Sequence, residues 1–336
     1  DLREAWPDGH TDLATALNEL GYVLMLMGRY DPAERLQIEA LEMRKAMFSE
    51  THEDVGLSYN DLAITYRRMT RFDEAEDFYR RALTIWRRVY GDEHPQVATV
   101  LNNLGVLLHI SGRFDPAVEA FDDALAIRRK QLGEGHYYTG LTLNNLAGVH
   151  IETGDFALAE AQYREALAIH REAIGPENPE TVAVQANLAR ALYERDQLAD
   201  ATTMMRDVLS TRERILDADN PQIGTAQAWL SRALVEQGQL DDARQLAESA
   251  VDMLASSLPE GHWRIAFAQG SLGRALALNG QNDRAEELLR TSIRILADQR
   301  GPKARLTLRT TQFLAELYDA TDRPDLAAEL RAKLDN

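Results

Sequence analysis

The stretch His94-Pro95-Gln96-Val97-Ala98-Thr99-Val100-Leu101-Asn102-Asn103-Leu104-Gly105, followed by Gly112-Arg113-Phe114-Asp115, decides the fold because it recurs along the chain in register. Leu104 belongs to a column of eight leucines, Leu20, Leu62, Leu104, Leu146, Leu188, Leu230, Leu272 and Leu314, evenly spaced without one insertion. Alanine keeps the same period at Ala33, Ala75, Ala117, Ala159, Ala201, Ala243, Ala285 and Ala327, and the residue after each leucine is always Gly, Ala or Ser. Two such small columns let a pair of helices approach near the lower end of the ~8–10 Å packing range. Leu17, Leu20 and Leu24 are spaced three and four apart, on one helical face. The period is helical throughout, and no strand signal interrupts it.

Turn chemistry divides each repeat. Gly28, Gly112, Gly154, Gly238 and Gly280 fit helix C-terminal stops. Asp31 with Glu34, Asp73 with Glu76, and Asp283 with Glu286 have the spacing of capping boxes, and Pro32 and Pro116 read as first helical residues. These boundaries start repeats at Thr11, Glu53, Pro95, Tyr137, Pro179, Pro221, Trp263 and Arg305, the last one shortened. Residues 1–10 align with the end of a second helix, so 11–336 reads as eight repeats preceded by a truncated one, part of a longer protein.

Composition bounds the function. Fifty-four acidic against 37 basic residues give a net charge of −17, which speaks against a nucleic acid or an anionic membrane as the partner. The absence of cysteine rules out disulfides, thiolate metal sites and a cysteine nucleophile. No apolar run approaches the ~20 residues of a membrane span, and a cytoplasmic setting is expected. Phosphate-loop, HExxH and GxSxG motifs are missing, so neither an enzyme nor a cofactor is expected. His10, His52, His94, His136 and His262 share a column with Asn178 and Asn220. Neighbouring repeats lie ~10 Å apart whereas zinc ligands sit ~2 Å from their ion, so the column fits a capping or turn role, with no metal. His150, in a column of leucines and tyrosines, reads as a hydrogen-bonded core histidine.

The quoted segments resemble the 42-residue tetratricopeptide repeat of kinesin light chains, relatives of which occur in bacterial signalling proteins. The ending Arg323-Pro324-Asp325-Leu326-Ala327-Ala328-Glu329-Leu330 is similar to the tails of repeat regions fused to bacterial serine/threonine kinases. The resemblance implies an all-α, right-handed superhelical solenoid whose first helices line a concave groove. It also implies extended peptides held there by an asparagine ladder. Two asparagine columns exist, Asn18, Asn60, Asn102 and Asn144, and beside it Asn103, Asn145 and Asn187, the second matching the family's ladder. Glu19 and Asp61 interrupt it upstream, and Trp229, Ser271 and Phe313 replace it downstream. An amide suits the task because it offers both a donor and an acceptor to a peptide backbone.

Arg190, Arg232 and Arg274 form a further column on the first helices. One reading pairs Arg190 with Glu194 and Arg232 with Glu236, each four positions on. The other has all three select acidic side chains or a terminal carboxylate. The expected function is a scaffold for a protein or peptide ligand. Self-association, as a weak dimer through the N-terminal end, and sensing of a small anion are the alternatives.

Overall fold

The computed structural model describes residues 11–334. Among them sixteen helices follow one another: α1 (Thr11–Leu26), α2 (Tyr30–Met47), α3 (Glu53–Arg68), α4 (Phe72–Tyr90), α5 (Pro95–Ile110), α6 (Phe114–Leu132), α7 (Tyr137–Thr153), α8 (Phe156–Ile174), α9 (Pro179–Glu194), α10 (Leu198–Ile215), α11 (Pro221–Glu236), α12 (Leu240–Ser257), α13 (Trp263–Leu278), α14 (Asn282–Arg300), α15 (Arg305–Ala320) and α16 (Pro324–Leu334). The fold is an all-α repeat solenoid, without a strand among the described residues. It forms two compact units, Asp1–Val149 and His150–Asn336.

All eight alanines of the second-helix column are fully buried. Close approach explains the small column facing them. A Cβ on Gly105 would lie 2.8 Å from the Phe121 ring, and one on Gly273 would lie 2.8 Å from Leu289. The turn between paired helices needs a left-handed residue, and Gly28, Gly112, Gly154, Gly238 and Gly280 supply it. Thr70, Asp196 and Asp322 hold the same position at φ of 60°, 55° and 56°, without the glycine that relieves it.

The histidine column caps first helices. Nδ1 of His52, His94 and His262 accepts from the backbone N–H two positions on, at 3.1–3.2 Å, and His136 does the same for Tyr138. Oδ1 of Asn178 and Asn220 takes the identical role. His10 lies outside the described residues. His150 is buried and hydrogen-bonded to Gln162 at 2.8 Å.

The capping boxes do not form. Second helices begin earlier than their aspartates, at Tyr30, Phe72 and Asn282, and their N-cap residues Arg29, Arg71 and Gln281 make no side-chain cap. Pro32 and Pro116 are consequently third helical residues. Glu34, Glu76 and Glu286 then stand a full turn into the helix, beyond reach of the cap. They pair instead with an arginine of the next repeat: Arg71 with Glu34 at 3.0 Å, Arg113 with Glu76, and Arg323 with Glu286 at 2.6 Å.

A longer period lies over the shorter one. Buried Arg44, Arg128 and Arg212 stand in the first, third and fifth repeats, each donating to a backbone carbonyl of the following first helix, on Asp54, Tyr138 and Gln222, and Leu296 replaces them in the seventh. Arg44 and Arg128 also donate to the hydroxyls of Ser58 and Thr142. In the intervening repeats the equivalent residues are Trp86, His170 and Leu254. Facing them, Gly56 and Gly224 leave room, since a Cβ there would meet Trp86 at 2.6 Å and Leu254 at 2.9 Å.

Candidate functional site

In the N-terminal unit two adjacent columns of the first helices interlock. Successive helical residues point about 100° apart, so one column faces inward and its neighbour does not. Asn18, Asn60 and Asn102 are buried, whereas Asn103, Asn144 and Asn145 are half-buried. Nδ2 of Asn103 donates to Oδ1 of Asn60 at 3.1 Å, and Nδ2 of Asn145 donates to Oδ1 of Asn102 at 3.2 Å. In the first such pair the direction is reversed, and buried Asn18 donates to the Asp61 carboxylate at 2.7 Å. Each buried amide thus orients the polar group one repeat further on. Asn60 and Asn102, expected from the sequence to contact a ligand, are buried and accept from Asn103 and Asn145 of the next repeat. Asn144 donates to Asn145 at 3.5 Å.

Asp61 occupies the ladder position of its repeat. Burial raises its carboxyl above the ordinary value, against hydrogen bonds from Asn18 and Asn60 and the charge of Arg44. As a carboxylate it can only accept, so it offers a backbone less than Asn103 or Asn145 can.

The C-terminal unit is built differently. Asn187 there is half-buried, but Trp229 and Phe313 take later ladder positions and pack among guanidinium groups. The arginine column is engaged within the molecule. Arg190 donates to Glu152 at 3.1 Å, and Arg274 pairs with Glu316 at 2.7 Å. Arg232 is 1% exposed and donates to the hydroxyls of Ser271 and Thr310 at 3.0 and 3.2 Å. Its guanidinium lies 4.4 Å from the Phe267 ring centre and 5.2 Å from that of Phe313. Neither sequence reading of this column describes these contacts. The hydrogen-bonded partners are not the glutamates four positions on, although the charge of Glu194 still acts on Arg190, and Arg232 presents almost no surface to a ligand. Arg190 thus bonds to a carboxylate of the preceding repeat and Arg274 to one of the following repeat.

Two arginines outside any column complete the arrangement. Arg305, the first residue of α15, donates through Nε and Nη2 to Glu194 at 3.0 and 2.9 Å, and through its backbone N–H to Glu152 at 3.0 Å. Arg309, one turn on, lies 3.8 Å from Glu236 and donates to Gln312 at 3.1 Å. Burial opposes the charge of Arg190, and Glu152 and Glu194 outweigh it, holding that guanidinium above its usual value. Arg232 has no carboxylate in contact, and burial pushes it down to about 10. It therefore remains charged at neutral pH.

A comparison with known proteins places these features in a family. The sequence pattern of the tetratricopeptide repeat matches residues 12–85, 65–130 and 138–214, and a second pattern of the same description matches 224–249 and 266–291. Among solved structures, the chain is similar to a kinesin-light-chain-type protein of Podosopora anserina with nearly identical TPR-like repeats. The identity is 28% and the TM-score 0.50, over 62% of this chain and 99% of that one. It is similar also to BtubC from P. vanneervenii, at 21% identity and a TM-score of 0.60, over 68% and 91%. A Rap protein complexed with competence and sporulation factor matches at 14% identity and a TM-score of 0.59, over 97% of both chains. The last two likenesses speak for the fold alone. A comparison with curated proteins finds no match.

Proposed function

We propose that this chain, which belongs to the tetratricopeptide-repeat family, holds an extended segment of a partner protein along the first helices of its N-terminal unit, with Asn103 and Asn145 gripping the segment's backbone. The chain is a protein-interaction scaffold, and no helix among the described residues is long and apolar enough to cross a membrane. The observation that carries the finer reading is the cross-repeat hydrogen bonding. One N–H of each ladder amide is held by the buried asparagine of the repeat before, which fixes the amide's direction and leaves its second N–H, the Asn103 carbonyl and the remaining lone pair of the Asn145 carbonyl to pair with a peptide group. Fixing a polar group before binding lowers the entropy lost on association. Asn187 continues the same column in the C-terminal unit.

Panning a displayed peptide library on the full chain, then titrating the recovered segments against Asn103→Ala/Asn145→Ala, tests this. The double substitution is expected to weaken binding by about 1–3 kcal/mol, and N-methylation of the segment's backbone should weaken it similarly. Segments that bind both proteins equally would overturn the ladder reading.

A second reading, self-association, has its own observation. Leu20 is 51% exposed, whereas its seven counterparts are all buried, and Leu26 and Met27 beside it are 60% and 66% exposed. An apolar stripe of this kind fits a second copy of the chain. Light scattering across a concentration series, on the parent and on Leu20→Glu/Leu26→Glu, decides it: mass that rises only for the parent supports a dimer, and equal mass throughout removes it.

A further inference from the structure

We infer that Glu152, Glu194 and Glu236 form an interaction surface for a segment carrying two guanidinium groups one helical turn apart, and that the first turns of α15 occupy that surface in cis. The three glutamates hold one position in three successive repeats, on α7, α9 and α11. Arg305 and Arg309 are one turn apart on α15 and reach Glu194 and Glu236 respectively. The contacts of Arg305 with Glu194 and Glu152 span 111 and 153 residues. A solenoid is held together by contacts between adjacent repeats, so bonds across three or four repeats are not required by the stacking. They are a docking of the chain on itself.

With α15 in place, two of the glutamates are well covered. The Glu194 side chain is 4% exposed and that of Glu152 11%, and a carboxylate buried to that degree demands a cation and hydrogen bonds. Arg190 serves Glu152, but Arg232 turns to Ser271 and Thr310 and leaves Glu236 to α15. The surface is also shaped for arginine rather than lysine. The Arg305 guanidinium lies 4.9 Å from the Phe156 ring centre, and that of Arg309 lies 5.8 Å from that of Tyr193. Planar guanidinium groups stack on rings in a way that an ammonium does not.

The cis occupant fits imperfectly, and this points to a better ligand. Arg309 stands 3.8 Å from Glu236, beyond a hydrogen bond, and its Nε is buried without an acceptor. A partner segment that sets its second guanidinium squarely on Glu236 would displace the Arg305 and Arg309 side chains from the glutamates. The net charge of −17 draws basic segments toward the protein. This surface lies in the C-terminal unit, and the inference stands apart from the asparagine ladder.

The test uses the full chain and a fluorescein-labelled peptide of its own residues 305–320, followed by fluorescence anisotropy. The parent should bind weakly because its site is filled. Arg305→Ala/Arg309→Ala should bind at least ~10-fold tighter, by the fraction of open sites it gains. The same peptide with both arginines replaced by alanine should bind neither protein. Equal affinity of the two proteins, or binding indifferent to the peptide's arginines, overturns the inference. Glu194→Gln/Glu236→Gln gives a second arm that leaves α15 untouched. Its radius of gyration by small-angle scattering should exceed the parent's, and an unchanged radius overturns the docking even if the arginine variant fails to fold.

Discussion

Asn103 and Phe313 hold the same position of the repeat, one in each unit. The first is a half-buried amide tied to Asn60, the second a buried ring stacked against Arg232, Arg274 and Arg309. Both units share the alanine column, the capped first helices and the left-handed turn. They differ in what the first helices present. A polar residue there leaves a row of oriented amides. A ring there recruits arginines, the arginines recruit glutamates, and the surface closes over itself. One frame thus presents two kinds of first-helix surface, which differ at this column.

Exchanging residues at that column breaks the comparison most severely. Phe313→Asn should lower stability by about 3–5 kcal/mol, the range for emptying a buried aromatic site. Asn103→Phe should cost only about 1 kcal/mol, the net value of the amide's hydrogen bond. Urea unfolding measures both, and similar losses would mean that the two columns are equally integral to their units.

Asp61 sharpens the contrast through pH. Its folded-state carboxyl titrates above the ordinary value of 3.8, chiefly from burial. The protonated form is thus the one that folding favours. Its stabilising contribution is full below 3.8 and is lost as pH rises through the raised value. The stability of the parent relative to Asp61→Asn should therefore fall between acidic and neutral pH. Thermal melts of the two proteins at several pH values report it, and a relative stability that climbs with pH would contradict the burial.

The smallest effect belongs to the turns. Thr70 is β-branched and sits at φ 60°, so Thr70→Gly should stabilise the N-terminal unit by about 0.5–1 kcal/mol after the entropy of glycine is subtracted. Asp322→Gly should give less, because aspartate tolerates that region better. Melting temperatures that shift in the reverse order would mean that the Thr70 side chain contributes contacts beyond its hydrogen bond to Met69.

What the sequence disclosed follows from what repeats. First-helix starts, the buried alanines and the histidine caps each act within one repeat, so successive copies expose them as columns. The capping boxes mislead because their spacing is right only if the helix begins after the aspartate, and Tyr30 and Phe72 have already begun it. Local spacing assigns Arg190 to Glu194 or to a ligand, but its hydrogen-bonded carboxylate comes from the preceding repeat. Spacing along one helix carries no information about that distance. Arg305 and Arg309 escape such a reading altogether. Most other repeats place unrelated residues at their positions, such as Pro221 and Thr225, and a contact made once, across 111 residues, leaves no periodic trace.

The alternation of Arg44, Arg128 and Arg212 with Trp86, His170 and Leu254 sets a rule of parity for splicing this protein. Excising one repeat, residues 53–94, would bring Val100 to the place of Ser58 and leave the Arg44 guanidinium facing a methyl group instead of a hydroxyl. Excising two, residues 53–136, would bring Thr142 there, and a hydroxyl with it. Across the first four repeats the interchangeable brick is two repeats long, and opposite Arg212 the hydroxyl gives way to Ala226. Lengthening or shortening the chain should succeed by whole bricks and fray the junction wherever an odd number of repeats is moved.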